Sequence, residues 1–288
     1  MSSPPEYLTT KEVAELLRLK ERKVYDLASD EVIPCTRATG KLLFSRAAID
    51  RWLQENSNRA EDTIQTPLIV GSHDPLLEWA VRESQCGVAT LFDGSSDGLE
   101  KLAAKEATVS ALHIYSHKAQ CWNVPQITDQ FAGTSCVLIS WLYRQRGLVI
   151  APSVKAGGIE DLKALSVAGR QSGAGSQILL ESLLIDAGLN VDQINTTVTA
   201  RTESDAVLAV VEGSAQCTLG LQSLAVQHKL NFLPLIEEPL DLLVDRRFWF
   251  EPAMQKFIRF CQSAVFTARV EKLSGYRIDQ PFSVRFNG

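Results

Sequence analysis

Three short runs gather glycine and serine where a loop would turn into a helix: Gly71-Ser72-His73, Gly94-Ser95-Ser96 and Gly173-Ala174-Gly175-Ser176-Gln177. A helix N-terminus offers unpaired N–H groups and a partial positive charge, and serine hydroxyls add neutral donors. Small anions suit such places. Ser204 opens a fourth helical stretch and joins the same candidate set. Each serine alone also reads as a plain helix cap, and Asp74-Pro75 reads as an N-cap followed by a first-turn proline. The glycines at 173 and 175 exceed what capping needs. The three runs together therefore predict one ligand site, provided the fold brings them together.

Other reactive groupings are weaker. His113, His117 and Cys121 recur every fourth residue and would share a helix face fit for zinc, but Val109–Tyr115 reads as a strand, which breaks that face. No metal site is expected. The sequence has no GxSxG, no HExxH and no GKS/T loop, and no two carboxylates form a convincing acid–base pair. The expectation is a binding protein, not an enzyme, with no cofactor beyond a small-molecule effector.

The elements that must position these loops alternate strand and helix. Leu68–Val70, Val88–Phe92, Val109–Tyr115, Leu165–Ala168, Asn195–Ala200, Cys217–Leu221 and Phe232–Leu235 read as strands. Between and after them fall helical stretches at Pro75–Ser84, Gly98–Lys105, Ser176–Ala187, Ser204–Glu212 and Pro252–Phe266. This order predicts an α/β fold with a mainly parallel sheet, whose ligand loops lie at the carboxyl ends of the strands.

The first 55 residues follow another pattern. Thr9 and Glu12 have capping-box spacing before a short helix that ends at Leu17. A second short helix turns Val24 and Leu27 inward and leaves Lys20, Arg22, Lys23 and Tyr25 near its outer face. Val32-Ile33-Pro34 and Leu42-Leu43-Phe44 flank a turn at Ala38-Thr39-Gly40-Lys41, as a small β-hairpin wing would. Ser45 then caps a third helix with Ile49, Trp52 and Leu53 on its apolar stripe. Residues 1–57 hold nine Lys/Arg against nine Asp/Glu, so the whole net charge of −5 falls on the remainder. Six bases lie between Arg18 and Lys41 against four acids, a small excess that predicts weak DNA binding unless two heads act together.

The run YLTTKEVAELLRLKERKVYDLASDEVIP…GKLLFSRAAIDRWL resembles the excisionase-type, MerR-like winged helix-turn-helix family over residues 7–53. The resemblance implies base contact with double-stranded DNA by Lys20, Arg22, Lys23 and Tyr25, and phosphate contact by Arg37 and Lys41. Glu21 and Asp26 would repel phosphate, so they are expected to point away from it or to read cytosine. The runs GSHDPLLEWA, DGSSDGLEKLA, GRQSGAGSQILLESLLIDAGL, ESDAVLAVVEGSAQCTLGL and FLPLIEEPLDLLV resemble the periplasmic-binding-protein-like (type II) domain of one-component regulators. That resemblance implies a two-lobed ligand domain over 67–288, with lobe one at 67–150 and 240–288 and lobe two at 151–239. A DNA-binding head at 1–55 and a polar linker at 56–66 would precede it.

Relatives of this kind are associated with molybdate or tungstate, which makes an oxyanion the leading ligand, ahead of another small anion or an organic metabolite. Where such relatives read GSGTR, this chain has Gly173-Ala174-Gly175-Ser176-Gln177. A cation is lost there, and Arg170 is expected to replace it. The alternatives to a ligand-sensing regulator are an excisionase-like architectural protein and a molybdenum-cofactor carrier or enzyme. The N-terminus MSSPPEYLTT lacks the character of a secretion signal, and no apolar run approaches the ~18 residues of a membrane span. The six scattered cysteines contain no CxxC pair. A cytoplasmic chain with mostly buried thiols is expected, acting as a homodimer or higher homo-oligomer because so short a head binds weakly alone.

Overall fold

The computed structural model describes residues 6–37, 40–55 and 67–288, with the backbone alone at 54 and 55. The expected wing-turn residues Ala38 and Thr39, and the expected linker at 56–66, lie outside the described residues. Two compact units divide the chain, Met1–Ile64 and Gln65–Gly288.

In the first unit, β1 (Tyr7–Thr9) leads into α1 (Thr10–Leu17), followed by α2 (Glu21–Ser29), β2 (Leu43–Ser45) and α3 (Arg46–Glu55). The capping box forms: the Thr9 N–H donates to Glu12 Oε2 at 2.7 Å and the Glu12 N–H donates to Thr9 Oγ1 at 3.4 Å. Helix α1 stops because Arg18 turns left-handed at φ 54°, and its N–H folds back onto the carbonyls of Ala14 and Glu15. Two residues later Lys20 caps α2, so the helix-turn-helix closes around Val13, Ala14, Val24, Ala28, Ile33 and Ile49.

The wing is smaller than the sequence suggests. Val32–Pro34 forms no strand, because Ile33 sinks into the core and the N–H groups of Val32 and Ile33 go to the Leu27 carbonyl. Strand β2 pairs with β1 instead, with Leu8 opposite Phe44, and a lone Thr36–Leu43 bridge remains of the expected hairpin. Leu53, expected on the apolar stripe of α3, is exposed.

The second unit is built on a ten-stranded sheet. One end holds β3 (Leu68–Gly71), β4 (Ala89–Leu91) and β5 (Val109–Leu112), mutually parallel, with α4 (Pro75–Ser84) and α5 (Ser95–Ala103) between them. A small hairpin, β6 (Tyr115–Ser116) with β7 (Cys121–Trp122), and α6 (Val124–Phe131) follow. The middle is β8 (Cys136–Ile150), and the other end holds β9 (Ser166–Arg170), α7 (Gly175–Asp186), β10 (Asn195–Ala200), α8 (Glu203–Val211), β11 (Cys217–Leu221) and α9 (Gln222–Gln227). Strands β9, β10 and β11 are again parallel. Strand β12 (Asn231–Asp245) returns through the middle. Helices α10 (Arg246–Trp249), α11 (Pro252–Cys261) and α12 (Ala264–Glu271) and strands β13 (Tyr276–Arg277) and β14 (Val284–Asn287) complete the first end.

The sheet is therefore parallel only at its two ends. Strands β8 and β12 run antiparallel over fifteen residues each and connect two lobes. Phe232–Leu235 is the start of a much longer strand. Pro234, Pro239 and the Glu237-Glu238 pair interrupt its apolar pattern, and the pairing absorbs them with register shifts at Pro234/Ile236 and Leu240/Asp241. The long C-terminal helix also divides, because Ser263 caps a new helix at Ala264. Each lobe has its own core. Trp141, Leu242 and Phe257 lie in the first and Leu148, Leu179 and Leu219 in the second. Among the described residues no helix is long and apolar enough to cross a membrane. Four cysteines are buried, while Cys35 and Cys121 are exposed.

Candidate functional site between the lobes

The parallel strands of each lobe end toward the middle of the sheet, and the three glycine–serine runs leave those ends. Ser72 follows β3 and is buried, with its hydroxyl 2.5 Å from that of Ser95, the first residue of α5. The Ser96 N–H donates to the Gly173 carbonyl across the lobes at 3.2 Å. Gly173 has φ +83°, and a Cβ there would lie 3.1 Å from Ser96 Cβ. Gly175 has no room for a Cβ at all, which would stand 2.6 Å from the His113 carbonyl oxygen. The runs therefore meet. Helices α5 and α7 both start there without a side-chain cap, whereas Asp74 caps α4 and Thr202 caps α8. Their first N–H groups keep the partial positive charge that side chains offset elsewhere.

A chain of buried ions lies beside these loops. Arg144 Nη1 donates to Asp74 Oδ2 at 2.9 Å, and Arg144 Nη2 lies 2.5 Å from Glu238 Oε1. Arg146 reaches the same Glu238 oxygen at 2.8 Å and takes Glu203 through both terminal nitrogens at 2.9 and 3.1 Å. Arg170 Nη1 donates to Glu203 Oε1 at 2.8 Å. His113 Nδ1 lies 3.1 Å from Glu238 Oε2, and the Tyr276 hydroxyl donates to Asp74 Oδ2 at 2.8 Å. Three guanidiniums thus face three carboxylates, and all six residues are buried.

Burial by itself raises the carboxyl of Glu203, yet Arg146 and Arg170 outweigh it and hold the group far below the usual carboxylate range. Glu238 is lowered in the same way, burial opposing and Arg144 and Arg146 winning. His113 is pushed down, chiefly by burial, with the charge of Glu238 pulling the other way. Arg144 Nε and Arg146 Nε remain buried without a hydrogen-bond partner.

The candidate residues fare unevenly. Ser72, Ser95, Ser96, Gly173 and Gly175 come together, and Ser176 joins them, its hydroxyl 3.4 Å from Arg170 Nη1. Arg170 is not free to replace the missing cation, since it is spent on Glu203 and on the carbonyls of Ala200 and Arg201. Gln177 is tied to the Arg170 N–H and to Glu181. Ser204 is not a cap, because α8 starts one residue earlier behind Thr202. The buried Glu203 is the residue of that helix that enters the ion cluster. His73 stacks edge-on against Phe92 with its Nδ1 unpartnered.

Sequence reasoning missed Arg144, Arg146, Glu203, Glu238 and Tyr276. Arg144-Gln145-Arg146 inside the apolar run Val137–Ile150, and Glu237-Glu238 inside FLPLIEEPLDLLV, were the available signals. His113, His117 and Cys121 do not meet: His113 is in the cluster, His117 pairs with Asp186 on the surface, and Cys121 is exposed on β7.

In the first unit Lys20, Arg22, Lys23 and Tyr25 are exposed, as are Arg37 and Lys41. Tyr25, Arg37 and Lys41 line one groove of about 630 Å³ with Thr10 and Leu42. Glu21 lines it too, so it does not turn away from this face as expected.

A two-lobed sheet with loops converging from both halves defines a ligand-binding domain of the periplasmic-binding-protein kind. The chain belongs to the PBP superfamily domain family, whose model matches residues 77–262. Residues 7–57 match a helix-turn-helix domain model. The uncharacterized protein YvgK of Bacillus subtilis (strain 168) is 23% identical over 294 residues, covering 93% of this chain and 94% of that one. A protein from Clostridium perfringens, described as a phosphate ABC transporter substrate-binding protein with bound phosphate, superposes with TM-score 0.56 at 13% identity, covering 74% of this chain and 99% of its own. An ABC-type phosphate transport receptor from Vibrio cholerae gives 0.48 at 14% identity, with 74% and 99% covered. A helix-turn-helix domain joined to such a ligand-binding domain fits a DNA-binding regulator that senses a small ligand.

Proposed function

We propose that this chain is a cytoplasmic one-component transcriptional regulator whose effector is a small oxyanion bound between the lobes. The observation that carries the reading is the meeting of two uncapped helix N-termini, α5 and α7, with Ser72, Ser95, Ser96 and Ser176 at one buried junction. These are neutral donors, which suit an oxyanion without requiring an ion pair. The guanidiniums nearby are already matched by carboxylates, so the hydroxyls and N–H groups do the holding. Molybdate and tungstate are the leading members of this class from the sequence. Phosphate joins them because a protein of the same fold carries it.

The head grips DNA through Lys20, Arg22, Lys23 and Tyr25, with Arg37 and Lys41 on phosphates, and two copies act together on paired half-sites. Ligand binding closes the lobes and shifts the spacing of the two heads. A coupling of about 1–3 kcal/mol is enough to switch a promoter. The chain catalyses no reaction.

A thermal-shift screen of the full chain with molybdate, tungstate, sulfate and phosphate tests this reading. Ligand binding to the folded state raises stability as RT ln(1 + [L]/Kd). At least one of the four is expected to raise the midpoint in a saturable way. Four flat titrations would contradict the oxyanion reading and favour an architectural DNA-binding protein.

A further inference from the structure

The oxyanion reading says nothing about which oxyanion fits, and His113 bears on that choice. The residue follows β5 and is 2% exposed. Its Nδ1 faces Glu238 Oε2 at 3.1 Å, while the other oxygen of Glu238 touches Arg144 at 2.5 Å and Arg146 at 2.8 Å. A carboxyl pressed by two guanidiniums is ionised and accepts hydrogen bonds only, so the proton of the pair sits on His113 Nδ1. Burial keeps the imidazole neutral. A neutral imidazole protonated on Nδ1 has a bare lone pair on Nε2. Among the described residues no hydrogen-bond partner falls on that nitrogen.

The Nε2 edge of the ring lies against α7. A Cβ built on Gly175 would stand 2.9 Å from it, and Gly175 is the first residue of a twelve-residue helix whose N-terminus has no side-chain cap. A group seated at this helix end would meet donors from the backbone and the Ser176 hydroxyl, and an acceptor from His113. A fully deprotonated oxyanion would oppose one lone pair with another. An oxyanion that keeps a hydroxyl satisfies both sides at once. The surrounding charge points the same way, because three guanidiniums against three carboxylates leave no surplus positive charge for a bare dianion.

We propose that His113 is a specificity-determining residue that selects an oxyanion still carrying a proton at neutral pH, of the hydrogen phosphate type, over sulfate, molybdate and tungstate. This rests on the oxyanion reading and narrows it.

Isothermal titration of the full chain at neutral pH, with sodium phosphate, sulfate, molybdate and tungstate as separate probes, tests it. Phosphate is expected to bind at least about tenfold more tightly than the other three, since a site built around one hydrogen bond rejects analogues that cannot make it. His113→Asn retains a donor toward Glu238 and deletes the Nε2 acceptor, so it is expected to bring phosphate and sulfate within about threefold of one another, an estimate from the same principle. His113→Gln can place an amide oxygen where Nε2 stands and is expected to restore part of the preference. Wild-type binding of sulfate or molybdate as tight as that of phosphate overturns the inference while leaving the oxyanion reading intact. Binding of none of the four overturns both. If His113→Asn does not fold, the wild-type comparison alone decides.

Discussion

At the scale of single residues, Glu203 shows how a buried charge becomes indispensable. It answers Arg146 through two bonds and Arg170 through a third, with none of the three side chains open to water. Removing one partner of such a set leaves the others desolvated and uncompensated, which costs about 3–5 kcal/mol. Glu203→Gln is expected to lose that much in urea unfolding, and a loss below about 1 kcal/mol would show that water or rearrangement relieves the two arginines.

Asp241 gives a pH signature. Burial raises its carboxyl to about 6 although Arg285 lies 3.0 Å away and Asn123 donates to it at 2.7 Å. The folded state then holds a proton that the unfolded chain, at 3.8, has already released. Its contribution is present below the unfolded value and is lost as pH rises through the folded one. Wild type should therefore weaken relative to Asp241→Asn between about pH 4 and pH 6, by unfolding at matched pH values. Parallel stability curves would contradict the assignment.

Gly175→Ala separates closure from stability. A helical Ala normally gains about 0.5–1 kcal/mol over Gly, but here its Cβ would stand 2.6 Å from a backbone oxygen of the other lobe. Solution scattering should report a more open molecule with an undiminished melting midpoint.

At the scale of elements, local chemistry made some boundaries legible and tertiary context overrode others. The Thr9–Glu12 capping box, the left-handed end of α1 and the Asp74-Pro75 start of α4 were readable because each is settled within a few residues. Thr9→Ala is expected to cost the head about 1 kcal/mol in a thermal melt of the full chain. The wing was misread because Val32-Ile33-Pro34 has strand composition but spends its N–H groups on the end of α2. Strands β8 and β12 were the larger loss. Their charged residues break the alternation that marks a strand, and they are tolerated because each meets its opposite charge from a distant segment: Arg144 with Asp74, Arg146 with Glu203, His113 with Glu238. No local window contains both members of such a pair. The glycine–serine loops were readable as loops, and their convergence followed from the rule that α/β sheets bind at strand carboxyl ends. That Arg170 is already engaged was not readable at all.

At the scale of the whole molecule, the account joins a DNA-gripping head to a two-lobed ligand domain and makes the second control the first. The head's charge excess is small, so each base counts. The double substitution Arg22→Ala with Lys23→Ala should weaken DNA binding and flatten the slope of log K against log salt by about 2 if both side chains contact phosphate. The central claim is the coupling itself. Fluorescence anisotropy of the full chain on an operator recovered by in vitro selection from random DNA, titrated with and without saturating phosphate, molybdate or tungstate, tests it most directly. The account predicts an enriched sequence whose affinity changes at least about fivefold with one of these anions. An operator bound equally well with every one of them, or a selection that enriches no sequence, would contradict it.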